Sequence, residues 1–292
     1  MKIPTRLPID RRHELRIYER PGRHLDDVAL ARVVEDLRDV ADRCIPGGTL
    51  RYGVLAGSRE RLERVVVAIA YERATGRAVG FNAMTWMDIT VGGRPRSVLH
   101  AGLCMIAPGA RRGGLLGLLS AAPALVAFAR NGFAPLWVSN VTQVPAVAGR
   151  FAKAVGHVYP APGHTTPPSD EHVEVATQIM AGHRSVFGVG EEAEFDAERF
   201  VIRNAYTGGS DDLKKRWEDA RKHRDEAINR LCRDLLDYDR GDDLLQIGTL
   251  TVGVVASLLG DFARRMVCRM LGALRRPSAA ATPRKRPVRR AA

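Results

Sequence analysis

The chain has little cysteine and lacks the local motifs of several common protein classes. Its four cysteines, Cys44, Cys104, Cys232 and Cys268, lie far apart with no Cys-x-x-Cys spacing. That argues against a disulfide framework or a zinc site and fits a reducing compartment. The N-terminal stretch MKIPTRLPIDRRHELRIYER has no apolar core of the kind a signal peptide needs, so the body of the chain is expected in the cytoplasm. No Ser-His-Asp or Cys-His motif stands out, which leaves hydrolase chemistry unsupported. The Gly-rich segment near residue 113 is not followed by Lys-Ser or Lys-Thr, and no Gly-x-Gly-x-x-Gly spacing occurs there. A nucleotide P-loop and a dinucleotide fingerprint are both excluded at that point. His157, His164, His172 and His183 form a loose set without metal-ligand spacing, so no metal is expected.

What is present is ordinary in bulk and uneven in charge. Hydrophobic residues make up 45% and charged residues 27% of 292 positions, as in a globular protein of one large or two modest domains. The formal net charge is +12, but Arg275 to Ala292 contributes seven basic residues and no acidic ones, leaving only +5 for the remainder. The body is mildly basic and the tail is a separate polybasic feature. This weakens any reading of the fold as a specific nucleic-acid binder.

The most informative stretch runs from Ser97 to Arg130. An apolar, strand-like run ends at Pro108, a Gly/Arg segment follows, and a helical pattern begins near Gly113. Leu115, Leu118, Leu119, Ala122, Leu125, Val126 and Ala129 recur three or four apart and define one buried helical face. A strand feeding through such a turn into a helix aims free backbone N–H groups and the positive helix end at one point, which suits a phosphate.

Ile106, Pro108, Arg111, Gly114 and Leu116 resemble the pyrophosphate loop of the GNAT acyltransferase superfamily, apolar-x-Pro-x-x-Arg-x-x-Gly-x-Gly/Ala. Leu116 departs from that pattern, since the family has a residue with almost no side chain there. A second segment, Arg150-Phe151-Ala152-Lys153-Ala154-Val155-Gly156-His157, resembles the family's Arg-Phe-Tyr-Glu-Lys-x-Gly-Phe. Arg150, Phe151 and Gly156 keep their places. Ala152 stands where the family usually has the tyrosine that protonates the leaving thiolate, and His157 stands where phenylalanine is usual. The resemblance spans about residues 62 to 159.

Up to Tyr159 the elements follow the order of that fold, and beyond it the resemblance adds little. His13 to Glu19 is a first strand, His24 to Cys44 a helix, Leu62 to Glu72 and Arg77 to Thr90 a pair of strands, and the central strand follows. Pro135 to Ser139 returns as a strand after the helix, which predicts a right-handed parallel crossover. Val144 to Val155 is a short helix. Beyond a Pro-rich loop, Pro160 to Pro168, Ser169 caps a helix running towards Phe187. Phe195 to Asn204 reads as a strand and Asp211 to Tyr238 as a charged helix. Leu244 to Gly260 carries no charge over seventeen residues and reads as a helix: membrane-surface or re-entrant, paired in a dimer, or buried. The expected architecture is α/β (α+β), a GNAT-like mixed central sheet flanked by helices, with a helical C-terminal extension. Residues 1–205 are expected as the acyltransferase-like domain, 206–276 as the extension and 277–292 as a disordered basic tail.

The resemblance implies acetyl-CoA or another acyl-CoA as acyl donor, held by Met105, Ile106, Arg111, Arg112, Gly113, Gly114, Leu115 and Leu116. It also implies transfer to an amine. His100, six residues before Ile106, lies where the family often has a glutamate base, and an imidazole titrates in the range that work needs. A hydrogen-bonded structural histidine is the alternative. Tyr159 is the candidate acid in place of the missing tyrosine, with Ser139 or water behind it. A non-catalytic acyl-CoA-binding module is motivated by Leu116 and Ala152. A long-chain acyltransferase near the membrane is motivated by the apolar segment and basic tail. The expected partners are a small-molecule or lipid-related acceptor, an anionic membrane surface on the inner face met through the C-terminal segment, and a second copy in a homodimer.

Overall fold

The computed structural model describes residues 4–48, 50, 52–111, 114–163 and 167–260. Strands β1 (Thr5–Pro8) and β2 (His13–Glu19) form an N-terminal hairpin, followed by helices α1 (Pro21–His24) and α2 (Asp27–Cys44). Asp26 caps α2 by accepting the Ala29 N–H at 2.8 Å, as a short acidic side chain at an N-cap does. A short α3 (Arg59–Leu62) then leads into the meander β3 (Val65–Glu72), β4 (Ala78–Val91) and β5 (Arg94–His100). The chain breaks at Ala101 and resumes as β6 (Cys104–Ile106) before the turn into α4 (Leu115–Arg130). Next come β7 (Leu136–Thr142), α5 (Pro145–Ala154), β8 (Gly156–Tyr159) and α6 (Asp170–His183). The described chain then gives β9 (Glu194–Asp196), β10 (Val201–Arg203), α7 (Glu226–Leu235) and β11 (Asp243–Leu250).

All these strands join one mixed sheet in the order β1-β2-β3-β4-β5-β7-β11-β10-β9, with β6 paired to β4 and β8 to β11. β5 and β7 are parallel, joined by α4 as a crossover, and the other recorded pairs are antiparallel. One face is covered by α2, whose Leu30, Val33, Leu37 and Val40 pack on Val67, Ile69, Phe81 and Ala83. α6 continues that layer, with Val175, Ala176 and Ile179 against Met87, Ile89 and Ile247. α4 lies on the opposite face, where Leu119 approaches Gly80. α5 and α7 meet Val201 and Leu244 in a smaller cluster with Ala148, Ile228 and Cys232.

The sequence-derived elements through α5 hold to within a few residues, apart from the break in the central strand and the added edge strand β1. The C-terminal third differs. The expected helix over Leu244 to Gly260 is a strand for its first half: Leu244, Leu245, Ile247 and Leu250 are buried in β11. β11 has neighbours on both sides and helices on both faces, so all its side chains favour apolar identity and no alternation shows. Residues Leu244–Leu250 are therefore not available to a lipid surface. Among the described residues no helix is long and apolar enough to cross a membrane. The expected helix over Asp211 to Tyr238 is an irregular segment followed by the shorter α7, and the expected strand over Phe195 to Asn204 is the hairpin of β9 and β10. Because β11 pairs along the full length of β7, the sheet continues past the boundary expected at residue 205.

Met1–Val252 forms one unit and Gly253–Ala292 a second. In the latter, residues 253–260 are helical and mostly exposed; the basic tail lies outside the described residues.

Candidate active site

The site is built where the central strand breaks. β5 pairs with β7 through Val98–Trp137, Leu99–Val138 and His100–Ser139, and the Ala101 N–H still donates to the Ser139 carbonyl at 2.7 Å. Beyond that point the chain leaves β7. Leu103 accepts from the Ala83 N–H at 3.0 Å, and β6 continues along β4 with Cys104 opposite Asn82. Gly102 makes the departure possible: a Cβ there would lie 2.5 Å from the Ala83 carbonyl oxygen. Among the described residues no ladder bond joins β6 to the end of β7, so two neighbouring strands part and leave an opening in the sheet.

The turn after β6 faces this edge. Arg111 Nε donates to the Ile106 carbonyl at 3.1 Å and locks the turn. Gly114 is the N-cap of α4 at φ 86°, with no side-chain cap. That left-handed geometry is cheap only for glycine. The N–H groups of Gly117 and Leu118 turn back to the Gly114 carbonyl, and those of Leu115 and Leu116 belong to the first turn of α4, where a helix offers no intrahelical acceptor. A Cβ added at Gly109 or Gly117 would meet nothing within 4 Å. First-turn N–H groups, a positive helix end and open space fit an anionic diphosphate. Met105 is buried against the α2 layer, so its backbone, not its side chain, faces this edge. Arg112 and Gly113 lie outside the described residues.

His100 and Tyr159 are not brought together. His100 pairs with Ser139, Ser139 with Ile247, and Ile247 with Tyr159. Three strand steps of about 4.8 Å separate them. His100 is only 3% exposed, with Nδ1 3.1 Å from Ser139 Oγ and its ring centroid 5.1 Å from that of Phe187. Burial lowers its pKa to about 4. Tyr159 turns its hydroxyl to the Glu198 carbonyl at 3.4 Å and stacks edge-on to Phe200; partial burial raises its pKa.

Across the opening stands α5, carrying the second motif. Arg150 Nε donates to the Ala146 carbonyl at 3.2 Å. Burial and then the neighbouring Arg221 lower its pKa, and its charge reaches the Cys104 thiol, which burial holds up at about 12.

Sequence reasoning missed a polar group at the same edge. Asp243, the first residue of β11, accepts from the Tyr206 hydroxyl at 2.9 Å, and burial pushes its carboxyl up to about 8. Burial is also the main reason that the pKa values of Tyr52, Tyr206 and Tyr238 rise, with the Asp243 charge adding to each. In the sequence Asp243 reads only as the acidic flank of an apolar run; its ladder partner Ile202 and its hydrogen-bond partner Tyr206 lie on other elements, and no local pattern reveals them. A surface cleft of about 650 Å³ lies at the other end of these strands, lined by Pro95, Ser97, Pro135, Trp137 and Thr249 among others. It is therefore not adjacent to the turn before α4.

No family model matches the chain, and no curated protein matches it. Solved structures align with part of it. An acetyltransferase of Trypanosoma brucei is 17% identical, with TM-score 0.28, over 40% of this chain and 76% of that one. A GNAT family acetyltransferase from Brucella melitensis in complex with acetyl-CoA is 16% identical, with TM-score 0.29, over 42% of this chain and 74% of that one. A GNAT family N-acetyltransferase from Escherichia coli in complex with CoA is 19% identical, with TM-score 0.26, over 52% and 71%. At those scores the superpositions carry no weight of their own. In its meander, its parallel crossover and its strand–turn–helix loop, the chain is GNAT-like in fold.

Proposed function

We propose that this chain is an acyl-CoA-dependent acyltransferase that moves an acyl group to an amine. The observation that carries the reading is the parting of β6 from β7 directly before the turn that leads into the N-terminus of α4. Leu115 and Leu116, with Arg111 beside them, would hold the coenzyme diphosphate. When bound, the coenzyme supplies an acyl group activated as a thioester. The free backbone edges of β6 and β7 would orient the chain that carries it.

His100 does not suit the base role assigned to it by position. An imidazole held at about 4 is a weak acceptor for an ammonium proton at neutral pH. Its hydrogen bond to Ser139 and its contact with Phe187 make it a support for the edge where the strands part. With alanine at position 152 and Tyr159 turned to Glu198, the thiolate proton would come from Ser139, from water or from the incoming amine.

Release of free thiol from acetyl-CoA, followed across a panel of primary amines, tests the reading. Amine-dependent release above the hydrolysis rate is expected. Tight coenzyme binding without release for any amine favours the second reading, a non-catalytic acyl-CoA-binding module, for which Ala152 and the distance from His100 to Tyr159 speak.

A further inference from the structure

We propose that Ser169 and His172 form a second reactive centre, a serine nucleophile with its general base, which cleaves small carboxylic esters at the cleft beside Trp137. This centre is independent of the coenzyme, because the cleft lies at the other end of the strands from the turn before α4.

The first turn of α6 brings the two side chains together. Ser169 is the N-cap, and His172 follows three residues on, the spacing at which a cap and a third-position side chain meet. Ser169 Oγ lies 2.6 Å from His172 Nδ1. On the far side of the ring, Nε2 lies 2.8 Å from the His157 carbonyl oxygen. A carbonyl can only accept, so Nε2 carries a proton, and in the neutral ring Nδ1 presents a lone pair. The Ser169 hydroxyl therefore donates to Nδ1. A nucleophile within hydrogen-bond reach of a base that a third group orients is what this chemistry requires.

Capping alone does not account for the pair. A cap needs only an acceptor, and the His172 N–H reaches Ser169 Oγ at 3.4 Å, much longer than the bond to the ring. Aspartate caps a helix as well as serine does, but it has no hydroxyl to give. The ring is also fixed from outside α6. Trp137 meets it edge-on with centroids 5.3 Å apart. His157, whose carbonyl anchors Nε2, takes a left-handed φ of 50°, uncommon for a residue with a side chain.

The surroundings give access and a place for charge. Ser169 is exposed while His172 is half-buried, so the hydroxyl is open and the base is held. Trp137, against the His172 ring, and Glu171, beside it in the chain, both line the cleft of about 650 Å³ together with Pro95 and Pro135. Its apolar walls suit the acyl or aryl part of a small ester. The first-turn N–H groups of α6 adjoin Ser169 at the positive helix end, where a helix offers them no intrahelical acceptor. They are placed to receive the charge that develops on the ester carbonyl oxygen.

In the first step Ser169 Oγ bonds to the ester carbonyl carbon, and its proton passes to Nδ1. The C–O bond to the alcohol then breaks, and the alcohol leaves with that proton. Water next adds to the acyl carbon and gives a proton to Nδ1. The Oγ–C bond breaks, Nδ1 returns the proton to Oγ, and the acid departs. Ester and water have become acid and alcohol.

Labelling of the full chain with a fluorophosphonate, located by peptide mass spectrometry, tests this alongside hydrolysis of 4-nitrophenyl acetate without CoA. Wild type is expected to carry the label on Ser169 and to outpace a heat-unfolded control. Ser169→Asp keeps the cap, so its melting temperature should hold while label is lost and hydrolysis slows by about tenfold or more. His172→Gln cannot take the proton and is expected to slow labelling of Ser169 by about a hundredfold. No label on Ser169 in wild type, or hydrolysis by Ser169→Asp at the wild-type rate, overturns the proposal. Labelling of Ser169 at an unchanged rate in His172→Gln overturns it as well, since the serine would then have no base.

Discussion

Asn82 shows how a single polar residue can be required deep in an apolar sheet. Residue 123, inside α4, is proline, so the Leu119 carbonyl has no N–H four residues on to receive. Asn82 Nδ2 supplies the missing donor at 3.0 Å from the neighbouring strand. Asn82→Leu therefore orphans a buried carbonyl and is expected to cost about 1–3 kcal/mol. In a Pro123→Ala background the same change should cost less, because the new backbone N–H takes the carbonyl. Urea unfolding of the four proteins of this cycle measures both; equal costs in the two backgrounds contradict the account.

Two buried titratable residues act on stability with opposite sign. Burial raises the Asp243 carboxyl, ordinarily near 3.8, to about 8 in the folded chain; Tyr206 donates to it, Tyr52 and Tyr238 lie within reach of its charge, and Asp242 beside it is held by Arg240. Below pH ~4 both folded and unfolded chains hold that proton. As pH rises towards 8 the unfolded chain releases it first, and stability falls by up to ~1.4 kcal/mol per pH unit. His100, lowered from 6.5 to about 4, contributes fully above its unfolded value, and its share is lost as pH falls through 6.5 towards 4. Asp243→Asn should gain on wild type steadily from pH ~4 to ~8, read as unfolding midpoints over a pH series. Parallel curves contradict a raised carboxyl.

At the scale of elements, legibility followed locality. α2, α4 and the parallel crossover rest on short-range periodicity, caps and turn residues, and were readable for that reason. Asp26 before α2 and Ser169 before α6 cap as their chemistry indicates. β11 was misread because its run from Leu244 is apolar on both faces, and periodicity cannot separate a doubly covered strand from a buried helix. The parting of β6 from β7 was invisible too: Ala101-Gly102-Leu103 is an unremarkable tripeptide, and the clash with Ala83 that makes Gly102 necessary is long-range. The loop motif could be seen, whereas the polar group around Asp243 draws on Tyr206 and on Tyr52, which lie on other parts of the chain. A chain ending at Asp242 loses β11 and is expected not to fold, while one ending at Val252 keeps every described strand. Circular dichroism melts of the two separate this from the reading of a detachable helix, under which both would fold.

The whole molecule presents two unlike ends of one sheet. One end carries the turn before α4, the parted strands and Asp243. The other carries the wider cleft by Trp137, where no motif lies. The central claim is that the first end holds the diphosphate of an acyl-CoA. Gly117, exposed in the first turn of α4 with open space around it, offers a test that separates binding from folding. Gly117→Glu places a carboxylate at the helix N-terminus, where propensity and the helix dipole favour it by roughly 0.5–1 kcal/mol each. The same charge repels an anion bound there. Calorimetric titration with acetyl-CoA should show binding by wild type and a loss of about tenfold or more in Gly117→Glu, with a melting temperature held or raised. No heat with wild type at millimolar ligand, or equal affinity in the two proteins, contradicts the claim.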